Sequence, residues 1–282
     1  MKLSHAILAV LALSLHACDR KPAAPAEAAT PPLTTAPPPT PTTTPQATDI
    51  PPPREIRPPF LPSVHGFRFV NQFRGSPLPP SLRRFERFLG NAIPARFGLC
   101  GGMSALAADL YLAQTPPPDE LNPPAEGTPL YAAIYNRQID SFGPAFGLVS
   151  TLIAWMGLPD KGPGGLEHKT ALELDAIQTR LDAGTLTQLC LVFGRLDGRT
   201  KPWDNHQVLA YAFEHASENR TIVRIYDPNF PGDDTARLVF DRTPDGWSCV
   251  RDTRKGRTLV RGVFVAPYEP APPAAIFSAP AR

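Results

Sequence analysis

The chain has 282 residues and a net charge of +2, and charged side chains of both signs, which make up 19% of it, are interspersed. This composition argues against a nucleic-acid partner, which would require lysines and arginines clustered on one face. The 37 prolines are concentrated at the two ends, which leaves about 205 residues for one globular domain or two lobes.

Residues 1–17 have the features of a secretory signal sequence. Lys2 supplies a positive start, and the apolar run over 6–15 is too short to span a bilayer as a helix. The segment leads into Leu15-His16-Ala17-Cys18, which resembles the lipobox of bacterial lipoproteins and implies that acyl chains are attached to Cys18. Two or more acyl chains give a stable anchor, so the expected location is the periplasmic side of a membrane in a bacterial cell envelope. A plain secretory signal with an unmodified cysteine is the alternative, and the sequence does not distinguish the inner from the outer membrane.

Residues 18–62 form a stretch rich in proline, threonine and alanine, with few large apolar side chains. Such a segment cannot bury enough surface to offset the entropy of ordering, so it is predicted to be a disordered linker. Proline-rich chains favour the extended polyproline II conformation, at about 3.1 Å per residue. The linker is therefore expected to hold the following domain away from the membrane.

The globular domain is predicted to span residues 63–268, and helical patterns dominate its first half. Proline suits the first turn of a helix, and Thr170-x-x-Glu173 forms a capping box, which marks a helix start. The predicted elements are a short strand over 64–73 and helices that begin near Ser81, Cys100, Pro129, Pro144 and Thr170, the last of which ends at Gly184.

Strand patterns dominate the second half of the domain. Apolar runs of strand length lie at 189–193, 207–213, 221–226, 237–240, 247–250 and 260–265. Helices followed by strands predict an α+β fold with an antiparallel sheet. The basic residues between 251 and 257 are predicted to lie on a solvated hairpin, and the proline-rich tail over 269–282 is predicted to be disordered.

The four cysteines, Cys18, Cys100, Cys190 and Cys249, show no paired C-x-x-C spacing, so no zinc site is expected. No metal or other cofactor is expected either. Cys190 and Cys249 lie in predicted strands and could form a disulfide in an oxidising compartment. Their register is unknown from the sequence, which leaves that pairing open.

Cys100 is placed at the start of a predicted helix. Backbone N–H groups in the first turn of a helix are free and carry a partial positive charge, which favours a reactive thiolate and can hold a developing oxyanion. Gly101 and Gly102 are expected to let a substrate backbone approach closely. Apolar residues follow at helical spacing and predict one buried face: Met103, Leu106, Ala107, Leu110 and Tyr111. A buried, inert cysteine is the alternative interpretation.

His206 and Asp227 are expected to meet across a hairpin. His206 begins one predicted strand, Asp227 follows the next, and the polar turn between them lies near 215–220. A hairpin with that turn places the two residues opposite each other within about one position, where a carboxylate can reach an imidazole. A thiol, a base and a group that orients the base are the requirements of an activated nucleophile.

This order of residues is similar to that of the papain-like cysteine peptidase superfamily, and bacterial peptidases that process bacteriocins after a double glycine look most alike. The matching stretches are 174–184, 189–193, 206–211 and Asp227-Pro228, within roughly 65–266. The resemblance implies a helical lobe whose Cys100 helix packs on an antiparallel sheet carrying His206 and Asp227.

The resemblance also implies supporting roles for side-chain amides. Asn71 or Gln72 is expected at the oxyanion, and Asn229 is an alternative to Asp227 as the residue that orients the histidine. The sequence departs from the papain pattern because Gly101-Gly102 stands where a large residue usually follows the cysteine, and because no amide has the papain spacing.

The implied function is that of a membrane-tethered, extracytoplasmic cysteine hydrolase that cleaves an amide or peptide bond through Cys100, His206 and Asp227. An acyltransferase with the same site and a non-catalytic binding module are the alternatives. The substrate is not specified by the sequence, so a peptide, a peptidoglycan stem, an isopeptide and a small amide all remain open.

Overall fold

Helices form the first half of the described chain and strands form the second, as the sequence predicts for an α+β fold. The computed structural model describes residues 59–75, 96–197, 199, 200 and 202–278. The predicted signal sequence, the Cys18 attachment site, nearly all of the linker and the helix expected near Ser81 lie outside these residues. Phe60 and Pro62 are buried, so the packed domain begins slightly before the predicted residue 63.

The helices of the described chain begin close to most of the predicted positions. They are α1 (Pro62–His65), α2 (Cys100–Leu112), α3 (Pro129–Asp140), α4 (Gly147–Met156), α5 (Leu166–Asp182) and α6 (Pro273–Ser278), with 3-10 turns at Pro144–Phe146 and Pro202–Asp204. Within the described ranges, no single helix has the length and apolar composition to cross a membrane, although α3 and the helical segment Pro144–Met156 meet those two criteria as a pair bent by 55°.

The strands of the described chain form two antiparallel sheets. A short pair consists of β1 (Phe73–Arg74) and β2 (Arg96–Phe97). The main sheet contains β3 (Thr187–Val192), β4 (His206–Ser217), β5 (Arg220–Tyr226), β6 (Arg237–Thr243), β7 (Gly246–Thr253), β8 (Gly256–Val260) and β9 (Gly262–Val265). Its seven strands lie in the order β8-β7-β6-β5-β4-β3-β9.

The run over 260–265, predicted as one strand, is divided at Arg261. Val260 ends β8 at one edge of the main sheet, and Gly262 begins β9 at the opposite edge, so the sheet is curled until its edges approach each other. The Arg261 backbone N–H donates to the Val192 carbonyl at 2.8 Å. Its guanidinium donates to Asp160 Oδ1 at 2.7 Å, which fixes the junction between the two strands.

The predicted capping box is wrong. Helix α5 begins at Leu166, so Thr170 and Glu173 lie inside it and cannot cap its start. Their side-chain oxygens instead accept hydrogen bonds from backbone N–H groups of the edge strand β9. Thr170 accepts from Val263 at 3.2 Å, and Glu173 accepts from Val265 at 2.8 Å. The two polar side chains therefore satisfy a sheet edge that would otherwise present unpaired donors.

The segment predicted as a strand over 64–73 is mostly not one. The first residues of the segment belong to helix α1, and only its last residue, Phe73, pairs with another strand, as part of β1. The alternation in the sequence is still expressed, because Phe67, Phe69 and Phe73 are buried while residues between them are more exposed. The segment is thus an irregular stretch with several bends, and its aromatic side chains pack into the core.

Residues 269–278 belong to the tail that is predicted to be disordered, but they are ordered. Helix α6 buries Ile276 in the same core cluster as α2. The buried Asp109 carboxylate of α2 accepts hydrogen bonds from the Ala271 backbone N–H and the Tyr268 hydroxyl, both at 2.9 Å. A buried acceptor in the helix interior therefore fixes a segment whose composition gave no sign of order.

Helix α2 is buried on all sides rather than on the single face predicted. Residues 101–110 are all buried, and the helix packs against α3, β4 and the C-terminal segment. A Cβ on Gly102 would collide with the Ile134 carbonyl oxygen of α3 and would lie 2.9 Å from the Gln138 backbone nitrogen. The glycines after Cys100 thus permit close packing of the protein on itself, which corrects the expectation that they make room for substrate.

Candidate active site

His206 and Asp227 form a buried pair at one end of the main sheet. His206 is the first residue of β4, and Asp227 directly follows β5. The register pairs Leu209 with Tyr226, which sets Asp227 across from position 208, two residues from His206 rather than the expected one. The aspartate still reaches the imidazole diagonally, and Asp227 Oδ1 lies 2.7 Å from His206 Nε2.

Cys100 lies beside the same histidine. It is the first residue of α2, it is partly exposed, and its thiol is hydrogen-bonded to the His206 imidazole. The Gln207 backbone N–H donates to Cys100 Sγ at 3.3 Å. Because Nε2 of His206 is occupied by Asp227, Nδ1 is the ring nitrogen left to face the thiol. The structure thus brings together the three residues that the sequence singled out.

The charges of the three groups favour an ion pair between sulfur and imidazole. Burial alone would raise the pKa of the Cys100 thiol, but the His206 charge and the hydrogen bonds from His206, Gln207 and Gly101 lower it below its usual value. Burial would lower the pKa of His206, yet the Asp227 carboxylate and the Cys100 sulfur raise it to about 10. Both shifts favour the thiolate and imidazolium over the neutral pair.

The surroundings of Cys190 and Cys249 shift the thiol pKa in the opposite direction from those of Cys100. Both are free, buried thiols, and they belong to different core clusters, so they do not form the disulfide that the sequence left open. Burial raises the pKa of both thiols far above the usual range. Among the described cysteines, the surroundings of Cys100 therefore favour the thiolate, whereas those of Cys190 and Cys249 disfavour it.

Of the two candidate amides near the oxyanion, only Asn71 lies at the site. Its Oδ1 accepts the Leu99 backbone N–H at 2.6 Å, directly before Cys100. Gln72 is exposed, and its Oε1 accepts from Arg96 at 2.8 Å. The Gln72 N–H donates to the Val70 carbonyl at 2.7 Å, so Asn71 is the central residue of a tight turn, and the half-buried Asn71 and the exposed Gln72 have different partners.

Asn229, the alternative orienting residue, does not contact His206 through a described hydrogen bond. Its Oδ1 accepts from Asn71 Nδ2 at 3.1 Å, and its backbone N–H donates to Asp227 Oδ1 at 2.9 Å. Asn229 therefore supports the aspartate and links it to the Asn71 side chain. Of the two candidates, Asp227 is the one whose side chain contacts the His206 ring.

A buried set of polar side chains underlies the start of α2 and was missed in the sequence. Gln188 Nε2 donates to the Gly101 carbonyl at 3.1 Å and to Gln207 Oε1 at 2.7 Å. Gln138 Oε1 accepts the Gly102 N–H at 3.0 Å. These contacts fix the first turn of α2 relative to the strand of His206. The available signal was the position of two glutamines at the starts of apolar strand runs, Gln188 directly before 189–193 and Gln207 as the first residue of 207–213.

Arg251 was also missed, because it was grouped with the basic residues of a solvated hairpin. It lies in β7, only 14% of its side chain is exposed, and its Nη1 is 3.2 Å from Asp227 Oδ2. Its guanidinium lies over the rings of Phe193 and Phe230, 5.2 and 5.5 Å from their centroids. The second oxygen of Asp227 is therefore paired with a cation held between two aromatic rings.

In the part of the chain that the structure describes, no group of three or more histidine, cysteine, aspartate or glutamate side chains is arranged to hold a metal ion. The groups of the site can supply a sulfur nucleophile, an imidazole that can accept and return a proton, and helix-start N–H groups that can stabilise an oxyanion. Comparisons of the chain with protein-family models, curated proteins and solved structures found no match.

Proposed function

We propose that the protein is a cysteine hydrolase that cleaves an amide or peptide bond through Cys100, His206 and Asp227. The observation that supports this most directly is the continuous contact from the Cys100 thiol through the imidazole to the Asp227 carboxylate. Neighbouring charges lower the pKa of this thiol, while burial raises the pKa of Cys190. The same lowering is what nucleophilic catalysis by a thiol requires.

In the proposed reaction, the Cys100 thiolate attacks the acyl carbon and forms a C–S bond. The negative charge moves to the carbonyl oxygen, which is stabilised by the backbone N–H of Cys100, since a first-turn donor has no partner within its helix. The His206 imidazolium then gives its proton to the leaving amine as the C–N bond breaks. Water, deprotonated by His206, cleaves the thioester and regenerates the free enzyme.

Asp227 and Asn71 have positioning roles in this proposal. Asp227 holds Nε2 of His206 and favours the charged imidazolium. Asn71 was expected to donate to the oxyanion, and its Nδ2 carries two N–H groups, one of which donates to Asn229. Its Oδ1 accepts the Leu99 N–H. We therefore propose that Asn71 holds the turn before Cys100 and that its second Nδ2 N–H keeps the expected role at the oxyanion.

The placement of the helix start of α2 against a strand that begins with the histidine supports a papain-like architecture, which we propose as the finer description of the α+β fold. Lipidation of Cys18 and a periplasmic, membrane-tethered location belong to the same proposal and rest on the lipobox-like sequence. Expression in a bacterial host should give a protein that partitions into the detergent phase. Replacement of Cys18 by serine should move it to the aqueous phase, and aqueous partitioning of the wild type would contradict the anchor.

Labelling with iodoacetamide, read by peptide mass spectrometry at neutral pH, tests the site. Cys100 should be modified selectively in the folded protein, with Cys190 and Cys249 as internal controls. The His206→Ala variant should lose this selectivity, whereas His215→Ala should keep it, because His215 is an exposed residue of the same strand. Absence of Cys100 labelling in the folded wild type would favour a binding module.

A peptide library and purified cell wall then test turnover and substrate class. A hydrolase releases free acid and amine products in water, and a Cys100→Ser variant should release neither above background. Transfer of the acyl group to an added amine in preference to water would instead identify an acyltransferase. Selective Cys100 labelling without turnover of either kind of substrate would confine the search to small amides.

A further inference from the structure

The aspartate of the proposed triad has a charged partner of its own on β7, a strand that the sequence analysis did not connect with the site. Asp227 Oδ1 accepts from His206 and from the Asn229 backbone N–H, and Oδ2 faces Arg251 Nη1 at 3.2 Å. Asp227 is 1% exposed. A buried carboxylate with donors on both oxygens cannot rotate without breaking one of these contacts.

The position of Arg251 is not explained by packing alone. Its guanidinium lies between Phe193 and Phe230, and its buried Nε has no hydrogen-bond partner among the described residues. An apolar side chain would fill the space between two aromatic rings without leaving a buried donor unpaired, which is unfavourable. What an apolar side chain could not do is neutralise the second oxygen of Asp227.

We infer that Arg251 is a positioning residue of the active site, which fixes the Asp227 carboxylate against His206 and limits how strongly that carboxylate holds the imidazolium proton. This inference rests on the proposed function. The groups that face His206 are the Cys100 thiol from α2 and Asp227 at the end of β5, and Arg251 from β7 lies behind Asp227. Catalysis requires the imidazolium to give its proton to the leaving amine, so an uncompensated carboxylate would retain the proton too tightly.

The sign of the effect follows from the charges. Removing the Arg251 charge leaves more of the Asp227 charge acting on the imidazolium, so the pKa of His206 should rise. The carboxylate stays near the ring because His206 and the Asn229 N–H still bind Oδ1. A residue that only filled space between Phe193 and Phe230 would leave the titration of His206 unchanged.

The test is a titration of His206 in the full-length chain, followed by histidine ring ¹⁵N NMR and by the pH dependence of Cys100 alkylation with iodoacetamide. Arg251→Met, which keeps an unbranched side chain between the rings, should raise the pKa of His206 by about one unit. The upper inflection of the alkylation profile should move by the same amount. Arg251→Lys should return both readings to within about 0.3 units of the wild type, because it restores the charge.

Arg242→Met is the matched control, since Arg242 also lies over an aromatic ring, 5.9 Å from the centroid of Trp247, but is exposed on the neighbouring strand β6. It should leave the His206 titration unchanged. Thermal unfolding of each variant shows whether it is folded. Arg251→Gln, which also removes the charge, makes the same comparison if the methionine variant does not fold.

The outcomes separate this inference from the proposed function. An unchanged or lowered His206 pKa in Arg251→Met, with a normal wild-type profile that His206→Ala abolishes, would overturn the role of Arg251 and leave the proposed function intact. A wild-type Cys100 that alkylates like an ordinary thiol would overturn both.

Discussion

Asn71 and Leu99 are joined by a hydrogen bond of 2.6 Å from the Leu99 backbone N–H to the Asn71 side-chain oxygen, across 28 positions of the chain. The backbone N–H of Asn71 donates to the Pro228 carbonyl at 3.0 Å. One residue thus connects the turn before Cys100 to the turn that follows Asp227. This link between two otherwise separate loops helps to set the distance between Cys100 and His206.

Replacement of Asn71 by alanine should slow the alkylation of Cys100 about 10-fold at neutral pH, because small displacements of reacting groups have large effects on rate. Loss of the acceptor for the Leu99 N–H should also destabilise the fold by about 1–3 kcal/mol. Gln72→Ala is the control, since Gln72 points away from the site, and it should change neither value. Equal labelling rates for the two variants would show that the Asn71 link does not position the cysteine.

Replacement of Asp227 by asparagine should lower the pKa of His206 from its raised value of about 10. The Asp227 charge is the chief group that raises this pKa, and an opposite charge at such a distance is worth about 1–3 units. Histidine ring NMR measures the shift directly. Asp241→Asn, which affects an exposed pair with Arg220, should leave the titration unchanged, and a similar titration in both variants would remove Asp227 from the site.

Replacement of Gly102 by alanine should destabilise the protein by about 1–3 kcal/mol, the range for overpacking a tight interface. The added Cβ would collide with the Ile134 carbonyl of α3, and backbone cannot move aside as a flexible side chain can. Gly147→Ala is the matched control, because Gly147 also begins a helix but has open space around a Cβ. It should be neutral or stabilising, by up to about 1 kcal/mol. Chemical denaturation distinguishes the two, and equal stabilities would show that α2 and α3 are less closely packed than described.

Replacement of Asp109 by alanine should destabilise the fold by about 3–5 kcal/mol, because it leaves the buried Arg137 without its main partner. Arg137 Nε donates to Asp109 Oδ2 at 2.8 Å, and both side chains are nearly inaccessible. Amide hydrogen exchange should accelerate in the segment 268–278, whose Ala271 N–H loses its acceptor. Asp175→Ala, at an exposed position of α5, should have neither effect.

The sequence was sufficient to locate Cys100, His206 and Asp227 because each lies at the boundary of a regular element. Helix starts and strand ends have local signals, and the connecting turn limits how far two strands of a hairpin can slip. The register was still misjudged by one position, since Asp227 reaches His206 diagonally. The predicted contact still forms, because the aspartate and histidine side chains are long enough to meet across the additional position.

The features that sequence reasoning missed depend on contacts between distant parts of the chain. Arg251 looks like its exposed basic neighbours until the curled sheet places it behind Asp227. Thr170 and Glu173 have the spacing of a capping box, but the N–H groups that donate hydrogen bonds to them belong to β9, about ninety positions away. The tail has a disordered composition and becomes ordered through a carboxylate inside α2. Local patterns contain no information on such partners.

The pH dependence of Cys100 alkylation, compared between the wild type and His206→Ala, tests most directly whether the sulfur and imidazole form an ion pair. An ordinary thiol, with a pKa of about 8.5, is less than about 1% thiolate at pH 6. Because neighbouring charges lower the pKa of Cys100, the wild-type residue should react at pH 6 at least about 10-fold faster than the same residue in His206→Ala. A second inflection should appear where His206 loses its proton, near its raised pKa of about 10. A wild-type profile that rises with a single inflection near that of an ordinary thiol, and that His206→Ala leaves unchanged, would contradict the ion pair and the hydrolase built on it.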